Sequence, residues 1–144
     1  MTDAQTPQFY HSAMQGLSHL VGHWLRIGDA SADRLAIILA DTARLTKLGQ
    51  PEDNPTGEQL KAWSQGETPP LWAAKAALFL ITQMPQRPVP TTDVECAAWA
   101  YTWLRIRSYQ SVAAAMNPLP AHLHPLLEAA LDTAWGDLHS QRLI

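Results

Sequence analysis

Apolar residues along this chain recur at steps of three and four, and strict alternation is almost absent, so the pattern predicts helices and no sheet. The first expected helix runs from about Pro7 to Ile27, with Met14, Leu17, Leu20, Val21, Trp24 and Leu25 as its stripe and Gly28-Asp29 as its end. Ser31 suits the N-cap of a second helix, because its hydroxyl can accept an orphan N–H of the first turn. Leu35, Ile38, Leu39, Thr42, Leu45 and Leu48 mark the apolar side of that helix, and Gly49 followed by Pro51 is expected to stop it. Gln50 to Pro55 is turn chemistry.

Thr56 opens a short third helix, with Gln59 three residues later completing a capping box, and Gly66 ends it. A fourth is expected from Thr68, with Pro69 at the first helical position, to about Met84. Prolines at 85, 88 and 90 exclude helix and make 85–91 the clearest linker, where a single domain over 1–144 would subdivide. Thr92 and Glu95 form a second capping box, opening the longest expected helix, roughly Asp93 to Met116. The last, about Pro125 to His139, is expected to bury Leu126, Leu127, Ala130, Leu131, Ala134, Trp135 and Leu138. The fold class is all-α: a compact bundle of about six helices, with an orthogonal corner at 56–70 and a C-terminal antiparallel helix hairpin.

Composition narrows the function. At 144 residues the chain can close one core without metal or disulfide staples. Ten Lys and Arg against 13 Asp and Glu leave a formal charge of -3, so no global basic field draws in nucleic acid or anionic lipid. The single cysteine, Cys96, excludes an intramolecular disulfide framework. The first residues lack the pattern of a signal peptide, and the longest apolar run, Leu71 to Ile81, is interrupted by Lys75 and too short to span a bilayer. A cytoplasmic protein without a membrane partner is expected.

No enzyme chemistry stands out. No nucleophile lies beside a base, the seven glycines form no phosphate loop, and no helix carries paired carboxylates. His19 and His23 are four apart and would share a helix face, yet a third ligand and a general base are missing. Neither metal, cofactor nor small-molecule substrate is expected. His122 and His124 suit the entry to the last helix. Cys96 sits beside Asp93 and Glu95, which oppose thiolate formation, and a packing role is expected for it.

One stretch, Gly57 to Leu78, resembles the second half of a Cro/repressor-type helix-turn-helix regulator: Trp63, then Gly66, a turn with Pro69 and Pro70, then Ala74, Ala77 and Leu78. The resemblance implies a recognition helix over Trp63, ended by Gly66 and supported by the following helix. It also implies that Glu58, Gln59, Lys61, Ser64 and Gln65 face the major groove of DNA.

The six tryptophans carry the competing reading. Trp99 and Trp103 are four apart and share one helix face, while Tyr101, Arg105 and Tyr109 follow at steps of four on another. Arg105 and Arg107 lie in a stretch, Ala97 to Leu127, without an acidic residue. Aromatics beside arginines suit stacking on nucleic acid, a protein interface or self-association, or a central helix whose arginines reach out to water. The expected function is a small non-enzymatic regulatory protein with a degenerate helix-turn-helix-like element, binding DNA or a partner protein. The alternative is a helical adaptor, or the small subunit of a phage, plasmid or nucleoprotein assembly, making contact through Trp99, Tyr101, Trp103, Arg105 and Arg107.

Overall fold

The computed structural model describes residues 2–85 and 88–142, with side chains for residues 8–85 and 88–139. Seven α-helices run through these residues: α1 (Thr2–Ile27), α2 (Ala32–Leu45), α3 (Gly57–Ser64), α4 (Leu71–Ile81), α5 (Asp93–Ile106), α6 (Val112–Met116) and α7 (His124–Arg142). A 3₁₀ turn at Ala121–Leu123 leads into α7, and no strand occurs among the described residues. The protein is an all-α helical bundle. Its contacts cluster into two compact units, Leu17–Pro88 and a second made of Met1–Gly16 with Val89–Ile144. The division therefore falls after Pro88 and also inside α1.

In the unit Leu17–Pro88, local capping sets the helix starts. Ser31 accepts the Arg34 N–H at 3.2 Å. At α3 the capping box is complete, with Thr56 Oγ1 accepting the Gln59 N–H at 3.1 Å and Gln59 Oε1 accepting the Thr56 N–H at 2.9 Å. Leu17, Leu20 and Val21 of α1, Leu35 and Leu39 of α2, Leu60 of α3, and Leu78 and Ile81 of α4 are buried. Three expectations need correction. α2 ends at Leu45, because Lys47 turns into the left-handed region at φ 62°, and Leu45 is exposed. Gly49 serves a close approach instead of a stop: a Cβ there would lie 2.3 Å from the Cβ of Trp72. α4 begins at Leu71, not at Pro69. Pro70 forces Pro69 out of the helical region, and Pro70 itself is extended as the N-cap, so the first helical residue is Leu71.

In the other unit, the long helix expected over Asp93 to Met116 is two helices. α5 stops at Ile106, Arg107 is extended, and Ser111 caps α6 by accepting the Ala114 N–H at 3.0 Å. Trp103 Nε1 donates to the Ala115 carbonyl at 2.8 Å, a bond that ties α6 back to α5. This break also overturns the antiparallel pairing expected for the last two long helices. Cys96, near the start of α5, donates to the Leu126 carbonyl near the start of α7 at 3.6 Å. Arg105, near the end of α5, acts electrostatically on Asp137 far along α7. The two helices therefore run in the same sense, and 107–123 carries the chain back between them. Leu123, Leu127, Leu131 and Ala134 are buried with Trp99 and Leu104, whereas Leu126, expected in the core, is exposed. Gly16 of α1 meets α5 closely: a Cβ there would lie 2.4 Å from the Val94 carbonyl oxygen.

Candidate functional site

α3 carries the residues expected to face DNA. Leu60 is buried and anchors the helix, while Glu58, Gln59, Lys61 and Gln65 are exposed and Ser64 is half-buried. Two of the five are occupied locally. Gln59 closes the capping box, and Ser64 Oγ donates to the Lys61 carbonyl at 2.7 Å. Glu58, Lys61 and Gln65 are left to project.

The placement of α3 departs from a helix-turn-helix. In that motif a short turn sets the second helix directly after the end of the first. Here the Gly57 N–H donates to Asp33 Oδ1 at 2.7 Å, so α3 begins beside the first turn of α2. A Cβ at Gly57 would fall 2.8 Å from the Asp33 nitrogen, which makes glycine the residue this approach requires. The connection 46–56 returns along α2. Arg44 ties it down, donating to the Pro51 carbonyl at 3.1 Å, to Asn54 Oδ1 at 2.9 Å and to Asp41 Oδ1 at 3.1 Å.

That returning loop, α3 and the start of α4 enclose a cleft of about 320 Å³. Trp63 and Trp72 form two of its walls, edge to face at 85° with ring centroids 6.0 Å apart, and both are half-buried. Pro51, Asn54, Pro55, Gln59 and Pro70 line the remainder, and the exposed carboxylates Glu52 and Asp53 belong to the same lining. Trp63, expected as a core residue beneath α3, is thus partly open. No family model matches this chain, and no curated protein or solved structure matches it either.

The residues of the competing reading lie in the other unit, and the structure takes most of them inside. Trp99 is fully buried. Trp103 is buried, bonded to Ala115 and stacked on Tyr109 at 6.4 Å between centroids. Tyr101 is buried against the edge of Tyr10. Arg105 lies flat over Tyr101, its guanidinium carbon 3.5 Å from the ring centre, and donates to the Tyr101 carbonyl at 3.0 Å. The expected interface through Trp99, Tyr101 and Trp103 is corrected to a core, because large rings on an alanine-rich helix fill the space that the small residues leave. Arg107, at the extended end of α5, remains exposed.

Other polar groups of this unit serve packing. A wider groove of about 440 Å³, lined by Phe9, Ser12, Cys96, Leu126, Ala129 and Thr133 among others, has no aromatic wall pair. Burial raises the Cys96 thiol pKa, and the nearby Asp93 and Glu95 raise it further, so the neutral thiol persists. Glu95 is buried, and its Oε2 accepts the Thr91 N–H at 3.0 Å and the Thr91 hydroxyl, so the expected box reaches one residue further back than Thr92. Asp137 is buried with neither oxygen hydrogen-bonded among the described residues. Burial pushes its carboxyl above the usual aspartate range, while Arg105 pulls the other way. His19 is exposed, whereas His23 is buried with its Nδ1 against the Arg26 guanidinium. No group of three metal-ligating side chains occurs among the described residues, and none of their helices is long and apolar enough to cross a membrane.

The cleft escaped the sequence reading because its walls come from three separated segments. The available signal was two tryptophans either side of Gly66, with prolines before and between them.

Proposed function

We propose that the protein is a helical interaction module that holds a basic segment of a partner protein through α3 and the adjoining loop 50–55. The observation that carries this reading is the cleft in which half-buried Trp63 and Trp72 stand beside Glu52 and Asp53. Partly exposed tryptophans concentrate binding energy at protein interfaces. Along the connection and α3, Glu52, Asp53, Glu58 and Glu67 are exposed against Lys47 and Lys61, so the local sign favours a cationic partner over phosphate. Self-association through α5 loses its support, since the aromatics it needs are occupied inside their own unit.

The regulator reading keeps one argument, the exposure of Glu58, Lys61 and Gln65. A paired experiment separates the two. Fluorescence anisotropy with a lysine-rich peptide is expected to show binding that weakens with salt and is lost when Glu52, Asp53 and Glu58 become Gln, Asn and Gln. A gel shift with mixed duplex DNA is expected to show none. Salt-sensitive DNA binding that disappears in Lys61→Glu would contradict the module and restore the regulator.

A further inference from the structure

We infer that the Trp63–Trp72 cleft binds the N-methylated ammonium group of a lysine side chain on a partner polypeptide, an inference that rests on the partner reading above. Two half-buried indoles, set edge to face at 85° with centroids 6.0 Å apart, both line the cleft, and indole is the side-chain π-surface that attracts a cation most strongly. Pro51, Pro55 and Pro70 add apolar surface that suits the methylene stem of a lysine. Glu52 and Asp53 supply complementary charge, and no basic residue is in the lining among the described residues. Arg44 holds the loop from behind, with its own charge set against Asp41.

The methylated form is favoured by the walls themselves, because indole and proline surfaces offer an ammonium no acceptor, while the Glu52 and Asp53 carboxylates of the lining are exposed to water. The Pro51 carbonyl is engaged by Arg44, and Gln59 Oε1 by the Thr56 N–H. An unmodified ammonium brings three N–H donors that would lose water without finding replacements on indole and proline surfaces. Methylation removes those donors and keeps the charge. A polypeptide is favoured over a choline lipid because a phosphocholine headgroup would set its phosphate against Glu52 and Asp53, whereas a lysine side chain carries no anion. At about 320 Å³ the cleft lies at the small end of ligand pockets, the size for one side chain.

The test uses the full chain and one short basic peptide in three versions: lysine, trimethyllysine, and a neutral isostere with carbon in place of the quaternary nitrogen. Calorimetry is expected to give about tenfold tighter binding for trimethyllysine than for lysine, and no gain for the neutral isostere. Glu52→Gln with Asp53→Asn, both at exposed positions, should weaken trimethyllysine binding with an unchanged melting curve. Trp63→Leu should remove the preference for methylation. Equal affinity for all three peptides, weakened alike by Trp63→Leu, would overturn the preference for methylation while leaving the partner reading intact, and equal affinity insensitive to Trp63→Leu would overturn both. Absence of binding by any of them would overturn both. Binding to phosphatidylcholine vesicles without binding to the peptides would assign the cleft to a lipid and overturn the inference.

Discussion

The two tryptophan pairs of this molecule look alike as composition and behave as opposites. Trp99 and Trp103 sit one turn apart on α5, flanked by Ala97, Ala98 and Ala100, and are buried with their helix. Trp63 and Trp72 sit on two helices joined by a glycine and two prolines, and both keep part of their surface open. A helical repeat of large and small residues gives rings a core to fill. The corner between α3 and α4 instead leaves both rings half-buried. Aromatic content alone therefore says little about binding; what decides is whether neighbouring small residues let another element close over the ring.

The sharpest contrast comes from truncating one ring of each pair. Trp99→Ala should cost about 3–5 kcal/mol in denaturant unfolding, as for other fully buried tryptophans. Trp63→Ala should cost about half as much, because part of the ring already meets water. Equal losses would erase the distinction between the pairs.

Glycines allow a second contrast. Gly49→Ala places a Cβ against Trp72 and should destabilise by about 1–3 kcal/mol while shifting the indole resonance of Trp72. Gly136→Ala, on α7 with open space around it, should instead stabilise by about 0.5–1 kcal/mol. Calorimetric melting of both variants checks the opposite signs.

Asp137 adds a pH dependence to the tryptophan-sealed unit. Its folded carboxyl titrates above its unfolded one, so between those two values the folded state binds more protons. Its contribution is then most favourable below the ordinary aspartate pKa and is lost as pH rises through the raised folded value. Asp137→Asn should therefore melt at higher temperature than the parent at neutral pH, with the gap closing toward acid. A gap that widened toward acid would contradict the assignment.

The smallest effect separates the two arginines. Arg105→Ala should cost at least about 0.5–1 kcal/mol through the lost stacking on Tyr101, with a further loss at neutral pH where it offsets the buried Asp137 carboxylate, and Arg107→Ala should leave stability unchanged within error.

Features set by nearby residues were readable from the sequence. The Ser31 cap and the Thr56–Gln59 box depend on three or four consecutive positions, and each formed as its residues predict. What depended on distant partners was not readable. The break at Ile106 comes with Trp103 reaching Ala115, and Leu45 and Leu126 are exposed because no element among the described residues covers the sides that helical periodicity assigned to the core. Pro69 follows the local rule for a helix start, but Pro70 immediately after it overrides that rule. Of the candidate site, the exposed face of α3 was visible in its polar run. The cleft was not, since the loop at Pro51 and the ring of Trp72 meet only after the chain has doubled back along α2.

Fluorine NMR of fluorotryptophan-labelled protein, titrated with a soluble paramagnetic agent, asks the central question ring by ring. The resonances of Trp63 and Trp72 should broaden strongly, while those of Trp99 and Trp103 keep their width. Broadening of the α5 pair, or equal protection of all four rings, would contradict the division between an open corner and a closed core.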